Sequence, residues 1–159
     1  MYRSGIGYDT HRFAEGRKLV LGGVEIPHVR GLEGHSDADV LTHAIADALL
    51  GAIGERDIGH HFPNTEEAIR GISSLAILQT VGEILAEKKC RIVNVDATLI
   101  AEAPKIGPHL EAMRGTISAV LGIDVLRVGI KATTNEGMGA LGRGEGIAAL
   151  AVASVEQRE

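Results

Sequence analysis

Residues 6–13 have the sequence Ile6-Gly7-Tyr8-Asp9-Thr10-His11-Arg12-Phe13 and predict the first β-strand of the fold. Side chains alternate between the two sides of a strand, so Asp9 and His11 are expected to point to the same side. His43 follows on a predicted helix and can supply a third ligand. Structural zinc sites are usually closed by four ligands, whereas three protein ligands leave a position open for a substrate. We therefore predict a catalytic or substrate-holding metal site. Spacing alone leaves open the alternative that the three side chains never meet.

The helix that carries His43 is predicted from the helical spacing of apolar residues between positions 40 and 51. Asp39 and Asp47 lie four residues before and after His43, so the three polar residues form a stripe on one side of the helix. Two interpretations of the two carboxylates are possible. They either orient the imidazole from behind or form a solvated helix edge.

The remaining elements are predicted from hydrophobic periodicity and turn residues. Strands are predicted at residues 19–21, 24–26, 92–100, 125–132 and 146–155. Helices are predicted from a cap at Ser36 or Asp37 to Gly51, from Ser73 or Ser74 to Lys89, and from Pro108 to Gly122. Residues 31–34, 58–71 and 133–145 are expected to be loops or irregular. In the strand at 92–100, alternation places these residues on one face: Val93, Val95, Ala97 and Leu99.

Strands and helices therefore alternate along the chain, which predicts an α+β fold. We expect one catalytic domain over residues 1–159, with a mixed β-sheet, helices packed on one face and a ferredoxin-like, split β-α-β character. The final strand is apolar on both faces, which fits a central position or a subunit interface.

Composition restricts the class of protein. The chain has 159 residues, of which 45% are apolar and only 3% aromatic, so its core is expected to be aliphatic. A net charge of −5 argues against a nucleic-acid-binding surface. No apolar run approaches the roughly 20 residues that span a bilayer, and no signal peptide is recognisable. The single Cys90 excludes an intramolecular disulfide and fits a reducing compartment. We expect a cytoplasmic protein with neither nucleic acid nor membrane as partner.

Four further segments can bind anions or a base. Gly34-His35-Ser36-Asp37 brings an imidazole, a hydroxyl and backbone amides to a helix N-terminus, which favours anions, although it can also be a simple cap. Residues 131–136 and 139–146 concentrate hydroxyls, charges and glycines, and Glu136 could hold a hard cation such as Mg²⁺. Residues 101–105 are either a plain loop or a backbone surface that recognises a base. The spacing of a P-loop is absent.

In this order along the chain, the segments closely resemble the 2-C-methyl-D-erythritol 2,4-cyclodiphosphate synthase family of the non-mevalonate isoprenoid pathway. The matching motifs cover nearly the whole chain: Gly7-Tyr8-Asp9-Thr10-His11, Gly22-Gly23, His35-Ser36-Asp37-Ala38-Asp39-Val40, Asp47-Ala48-Leu49-Leu50-Gly51, Asp57-Ile58-Gly59, Asn94-Val95-Asp96, Ala103-Pro104-Lys105, Lys131-Ala132-Thr133-Thr134 and Gly142-Arg143-Gly144-Glu145-Gly146. The resemblance implies a metal-dependent lyase. Its substrate is expected to be 4-diphosphocytidyl-2-C-methyl-D-erythritol 2-phosphate, which is cyclised with release of CMP.

The same resemblance implies roles for individual residues. Zn²⁺ is expected at Asp9, His11 and His43, and Mg²⁺ or Mn²⁺ at Glu136. His35 and Thr134 are expected to stabilise the transition state. The phosphate and methylerythritol end is expected to contact Asp9, His11, His35, Ser36, Asp57, Ile58, Gly59, Phe62, Pro63, Asn64, Thr65 and Glu66. The other residues expected to bind the substrate are Ala101, Glu102, Ala103, Pro104, Lys105, Ile106, Gly107, Thr133, Thr134, Asn135, Glu136 and Arg143. Of these, residues 101–107 and Thr133 are expected at the cytidine end.

The family is a homotrimer with active sites at subunit interfaces, which would explain the apolar final strand. Two departures from the family pattern stand out. Residues 62–66 read Phe-Pro-Asn-Thr-Glu where the family commonly has Phe-Pro-Asp-Thr-Asp, so one carboxylate is lost and the other lengthened. Ala140 stands where some members carry a phenylalanine that lines an axial cavity for isoprenoid diphosphates, which leaves prenyl binding open.

Two other functions compete with cyclisation. A metal-dependent phosphohydrolase could use the same three ligands with water as the nucleophile. A trimer that binds nucleotides or prenyl phosphates without catalysis could carry the same surface. Release of CMP, and the source of the attacking oxygen, distinguish the three functions.

Overall fold

The computed structural model describes residues 1–63, 65 and 70–157. The strands are β1 (Tyr2–Ala14), β2 (Leu19–Leu21), β3 (Val24–Ile26), β4 (Gly31–Leu32), β5 (Cys90–Ile100), β6 (Val128–Thr133) and β7 (Gly146–Gln157). The helices are α1 (Val40–Ala52), α2 (Ile58–His61), α3 (Ser74–Glu87), α4 (Leu110–Leu121) and α5 (Gly139–Gly142), with 3-10 turns at Gly107–His109 and Val125–Arg127.

The chain forms a single α+β domain around a mixed sheet, as predicted. The five strands of the sheet have the order β4-β1-β7-β5-β6, and β2 and β3 form a separate hairpin. Strand β7 runs antiparallel to both β1 and β5, whereas β5 and β6 are parallel. Of the two alternatives for the final strand, the structure shows the central position, because β7 lies between β1 and β5. Among the described residues, no helix is long and apolar enough to cross a membrane.

Helix α1 is the centre of the core, because eleven of its 13 residues are buried. It reaches the sheet through two glycines of β1. A β-carbon built on Gly7 would lie 2.0 Å from the carbonyl oxygen of Ala44, and one built on Gly5 would lie 2.1 Å from that of Ala48. Glycine is therefore required at both positions for the helix to touch the strand backbone. This contact determines how closely a side chain of α1 can approach the polar residues of β1.

The sheet leaves an apolar patch exposed on the outer side of β1 and β7. Ile6 is opposite Val152 and Tyr8 is opposite Leu150 in the antiparallel register. Their exposed fractions are 67% for Ile6, 56% for Tyr8, 45% for Val152 and 40% for Leu150. Neighbouring exposed apolar side chains of this kind mark an interaction surface.

The start of α1 differs from the prediction. Asp39 is the N-cap, and its carboxylate accepts a hydrogen bond from the backbone N–H of Thr42. The two caps that the sequence suggested bond elsewhere. Ser36 Oγ accepts from the N–H of Ala38, and Asp37 accepts from the N–H groups of Asp39 and Ser74. The predicted cap at Ser36 or Asp37 is therefore wrong.

Four other predictions need correction. A bulge between Ile92 and Asn94 removes Val93 from the buried face, so that Ile92 joins Val95 there. The predicted loop at 31–34 contains β4, which pairs with the end of β1. Residues Val125–Arg127 form a 3-10 turn capped by Asp124 rather than the start of β6. The segments expected to be irregular contain the short helices α2 and α5, and α2 is capped by the side chain of Asp57.

Candidate metal centre and active site

Three predicted ligands meet at one point of the structure. Asp9 Oδ2 lies 2.9 Å from Nε2 of His11 and 3.0 Å from Nδ1 of His43. Asp9 and His11 share the face of β1 that packs on α1, and the close approach of α1 at Gly7 brings His43 to the same place. The three ligand atoms lie within 4.8 Å of one another. Within the described part of the chain, this is the one cluster of imidazoles and carboxylates with such a spacing.

The cluster fits a divalent metal ion by its own chemistry. The buried Nε2 of His11 lies 2.9 Å from Asp9 Oδ2, but the geometry of this contact is not that of a hydrogen bond, and no other described residue bonds to this nitrogen. A buried polar atom without a partner is unfavourable unless something else occupies its lone pair. Two imidazoles and one carboxylate are ligands that zinc commonly takes, and three of them leave a coordination position open.

The electrostatics of the cluster favour an ionised carboxylate. Burial alone would raise the pKa of Asp9, but the contacts with His11 and His43 outweigh burial and lower the pKa from 3.8 to about 2. Burial likewise acts to lower the pKa of His43, but the neighbouring Asp9 carboxylate raises it above 6.5. The charged carboxylate therefore persists at every physiological pH, as a metal ligand requires.

A pocket of about 280 Å³ opens beside the three ligands. Its other lining residues are Gly34, His35, Ser36, Asp47, Asp57, Ile58, Gly59, Phe62 and Ile77. His35 is exposed to the pocket, whereas Ser36 is buried. The structure thus brings the ligands, the predicted anion-binding loop and the predicted Asp57-Ile58-Gly59 segment together.

Arg17 holds the loop that carries His35 and Ser36. Its guanidinium donates from Nη1 to the carbonyl oxygen of Gly34 and from Nη2 to that of Ser36, both at 2.6 Å. The sequence analysis did not identify Arg17. Arg17 lies between β1 and β2, 17 or more residues along the chain from the carbonyl groups that it binds. No local sequence pattern predicts such a pairing.

The carboxylates near the pocket bond to backbone. Asp57 caps α2 by accepting from the N–H of Gly59 at 3.2 Å. Asp47 accepts from the N–H of Ile58 at 2.8 Å, and burial raises its pKa. Pro63 and Thr65 are described but do not line the pocket. The predictions for Asn64 and Glu66 lie outside the described residues.

Asp39 corresponds to neither interpretation of the polar stripe. It is fully buried and accepts hydrogen bonds from the N–H groups of Gly22 and Gly23 and from both the N–H and the hydroxyl of Thr42. Burial raises the pKa of this carboxyl despite the four donors. No hydrogen bond joins the carboxylate to the imidazole of His43 in the described structure. Asp39 therefore fastens the β2-β3 turn to α1.

One residue to which the sequence analysis gave no role in the site, Ser74, lies behind His43. The Oγ of Ser74 is 2.8 Å from Nε2 of His43 and also contacts a carboxylate oxygen of Asp37. Ser36 Oγ is more distant, at 3.3 Å from the same Nε2. Ser74 was considered only as a helix start, because the fold alone brings α3 against α1.

The predicted cytidine and second-metal residues form a separate group. None of residues 101–107 or 133–136 lines the pocket beside His43. Within this group, Glu102 Oε1 accepts from the backbone N–H of Asn135 at 2.8 Å and from that of Gly137 at 3.4 Å. Thr134 Oγ1 accepts from the N–H of Glu136, which has a positive φ of 52°. Glu102 thus ties the two predicted segments to each other.

Ala140, at the position of the family's axial cavity, and the nearby Arg143 and Glu145 are exposed. Arg143 forms an ion pair with Glu145 at 2.7 Å. A larger, open groove of about 890 Å³ lies between α3, α4 and the start of β5, near the buried Cys90. It contains none of the predicted site residues.

Comparison with known proteins identifies the family of the chain. The model of the YgbB family matches residues 2–156. The chain is 63% identical over 155 residues to the 2-C-methyl-D-erythritol 2,4-cyclodiphosphate synthase of Alkaliphilus metalliredigens, covering 98% of each chain. It is 62% identical over 154 residues to the synthase of Symbiobacterium thermophilum, covering 97% of this chain and 98% of that one.

Solved structures show the same fold. The structure of IspF from Plasmodium falciparum in complex with CDP has a TM-score of 0.86 and 34% identity, covering 99% of this chain and 97% of that chain. The bifunctional IspDF of Campylobacter jejuni has a TM-score of 0.96 and 36% identity, and this chain spans 43% of its length. The chain therefore belongs to the YgbB family, whose relatives named above are 2-C-methyl-D-erythritol 2,4-cyclodiphosphate synthases.

Proposed function

We propose that this protein is a lyase that converts 4-diphosphocytidyl-2-C-methyl-D-erythritol 2-phosphate to 2-C-methyl-D-erythritol 2,4-cyclodiphosphate and CMP in the non-mevalonate pathway. The observation that carries the proposal is the convergence of Asp9, His11 and His43 beside the predicted anion-binding loop in a chain of this family. An oxygen of the 2-phosphate forms a bond to the β-phosphorus. The bond from that phosphorus to the α,β-bridging oxygen breaks, and this oxygen leaves with CMP.

Both reacting groups are anionic, so the protein has to align them and reduce their repulsion. When bound, Zn²⁺ at Asp9, His11 and His43 and Mg²⁺ or Mn²⁺ at Glu136 supply positive charge that polarises the phosphate oxygens. His35 and Thr134 contact the transferring phosphate, and Ser36 donates its hydroxyl nearby.

The methylerythritol end of the substrate is proposed to occupy the pocket at Asp57, Ile58, Gly59 and Phe62, and to contact residues 63–66 as the family resemblance implies. Gly59 lets backbone approach the hydroxyls closely, and the Asp57 carboxylate accepts hydrogen bonds from them. Support comes from the pocket lining, which includes Asp57, Ile58, Gly59 and Phe62. Residues 101–107 and Thr133 are proposed to bind the cytidine end. The remaining predicted residues, including Asn135 and Arg143, are proposed to lie around the diphosphate.

We propose that a homotrimer completes the site, with the cytidine group of one subunit facing the metal pocket of its neighbour. Two observations support this assembly. The predicted cytidine residues do not line the metal pocket of their own chain. The apolar patch at Ile6, Tyr8, Leu150 and Val152 is exposed in the single chain and needs a cover.

Further details belong to the same proposal: one catalytic domain over residues 1–159, a cytoplasmic location and a ferredoxin-like character of the sheet. The split β-α-β character is supported by β1 and β5, which both run antiparallel to the intervening β7 and have helices between them in sequence.

An isotope experiment tests cyclisation against hydrolysis. The purified protein is incubated with the substrate in ¹⁸O-water, and both products are examined by mass spectrometry. We expect CMP and an unlabelled cyclodiphosphate, since the attacking oxygen belongs to the substrate. Label in the methylerythritol product indicates a phosphohydrolase, and failure of any preparation to release CMP indicates a binding protein.

Variants connect the activity to the metal ligands. His43→Ala is expected to abolish CMP release, whereas His60→Ala, at an exposed histidine of α2, should retain it. Full activity of His43→Ala contradicts the proposed mechanism.

A further inference from the structure

The two nitrogens of the His43 ring have different surroundings. Nδ1 faces Asp9 Oδ2 and the proposed metal position. Nε2 faces the hydroxyl of Ser74 at 2.8 Å, and this serine is fully buried at the start of α3. The Ser74 hydroxyl also reaches Oδ1 of Asp37, and Oδ2 of Asp37 accepts from the Ser74 backbone N–H at 3.0 Å.

These contacts have one consistent direction of hydrogen bonding. A metal ion on Nδ1 leaves the ring proton on Nε2, so that Nε2 is a donor. The Ser74 oxygen then accepts from His43, and its own proton needs an acceptor. An ionised carboxylate can only accept, and Asp37 provides one. The chain of donors therefore runs from His43 to Ser74 to Asp37.

Ser36 is a poorer partner for the same nitrogen. Its Oγ is 3.3 Å from Nε2 and already accepts from the N–H of Ala38 at 3.1 Å. With Nε2 bonded to Ser74, the Ser36 hydroxyl proton remains available to a phosphate oxygen in the pocket.

We propose that Ser74 and Asp37 are positioning residues that hold the ring of His43 in the orientation and tautomer required for metal binding. The inference rests on the metal site proposed above. A carboxylate behind a histidine ligand orients the ring and increases its basicity, and loss of such a partner typically lowers metal affinity about 10- to 100-fold. Here a serine hydroxyl transmits the effect from the carboxylate to the imidazole.

The neighbouring Ser73 provides a matched control. It is the N-cap of α3 and accepts from the N–H of Leu75 at 3.2 Å, but it is exposed and has no hydrogen bond to His43 or Asp37 in the described structure. Ser73→Ala therefore weakens the same helix start without disturbing the chain of donors. A purely structural role of Ser74 would make the two alanine variants alike in metal binding.

The experiment measures metal binding without substrate. Wild type, Ser74→Ala, Asp37→Asn and Ser73→Ala are stripped with a chelator, checked for folding by circular dichroism, and titrated with Zn²⁺ and Co²⁺ against a chromophoric competitor. Ser74→Ala is expected to bind about 10- to 100-fold more weakly and to change the visible spectrum of bound Co²⁺. Asp37→Asn should show a smaller loss in the same direction, and it carries the test if Ser74→Ala does not fold.

A spectroscopic signature separates positioning from a general loss of structure. In the zinc-bound protein, long-range ¹⁵N–¹H spectra should show a slowly exchanging proton on Nε2 of His43 in the wild type and in Ser73→Ala. This proton should exchange rapidly in Ser74→Ala. Unchanged affinity, Co²⁺ spectrum and proton exchange in Ser74→Ala overturn the inference while the metal site stands. Failure of the wild type itself to bind either ion overturns the metal site and the inference with it.

Discussion

Gly7 of β1 and Ala44 of α1 are in backbone contact: a β-carbon on the glycine would lie 2.0 Å from the carbonyl oxygen of the alanine. Asp9 follows Gly7 by two positions in β1, and His43 directly precedes Ala44 in α1. The separation of the two ligands is therefore determined by the packing of one glycine.

Gly7→Ala should displace α1 and damage both the core and the metal site. We expect a loss of about 1 to 3 kcal/mol in the free energy of unfolding, which is typical of overpacked positions, together with weaker Zn²⁺ binding. Denaturant unfolding and metal titration measure the two effects. Gly115→Ala is the control, because a β-carbon there meets nothing within 4 Å in the middle of α4. It should stabilise the protein by about 0.5 to 1 kcal/mol, and equal behaviour of the two variants contradicts the prediction.

Arg17→Ala should impair phosphate binding more than stability. The guanidinium joins the carbonyl oxygens of Gly34 and Ser36, and a lysine cannot bridge both with the same geometry. We expect kcat/KM to fall at least about tenfold, equivalent to about 1.4 kcal/mol, in both Arg17→Ala and Arg17→Lys. Lys18→Ala removes an exposed ion pair with Glu25 and should leave kcat/KM unchanged. A wild-type rate in Arg17→Ala is the result that rules the role out.

Glu102→Ala should weaken binding of the cytidine end. The carboxylate joins the loop at 101–107 to the turn at Asn135 and Gly137, so its loss frees the turn beside Glu136. We expect the Kd for CDP, measured by calorimetry, to rise about tenfold, while Zn²⁺ affinity stays the same because the metal pocket is lined by other residues. Glu102→Gln keeps one acceptor oxygen and should show an intermediate Kd. An equal loss of Zn²⁺ affinity would argue for general unfolding instead.

The stability of the metal-free protein should depend on pH through Asp9 and His43. The pKa of Asp9 is lowered from 3.8 to about 2, so its contribution to stability is present above pH 3.8 and is lost as the pH falls toward 2. The pKa of His43 is raised above 6.5, so its contribution is present below pH 6.5 and is lost as the pH rises through the raised value. The pair therefore stabilises most between about pH 4 and 6.5.

Asp9→Asn measures this contribution. In that pH range the metal-free variant should be less stable than the metal-free wild type by about 1 to 2 kcal/mol, and the difference should decrease on both sides. Urea unfolding at a series of pH values in the presence of a chelator provides the comparison. A difference that is independent of pH shows that the ion pair is not its cause.

Local patterns predicted the elements and the ligands better than the contacts between them. Alternation along residues 6–13 placed Asp9 and His11 on one side, and the structure confirms that His43 joins them. The same reasoning missed the bulge at Val93, because one extra residue shifts the alternation without changing the composition.

Side chains with several possible partners were the hardest to predict. Ser36, Asp37 and Asp39 are all good helix caps by residue type. Asp39 is the N-cap because the other two bond elsewhere: Ser36 to Ala38, and Asp37 to Asp39 and Ser74. Such choices depend on the packing of α3 and of the β2-β3 turn against α1, which no short stretch of sequence contains.

The burial of α1 has a consequence for the assembly of the site. Because His43 belongs to the most buried helix and its backbone N–H is bonded to Asp39 O at 3.0 Å, the ligand cannot leave its place without exposing the core. The amide hydrogen of His43 should then exchange with solvent only when the whole domain unfolds. The backbone of His43 is in place once the chain folds. We therefore expect the association of a metal ion to require no rearrangement of α1.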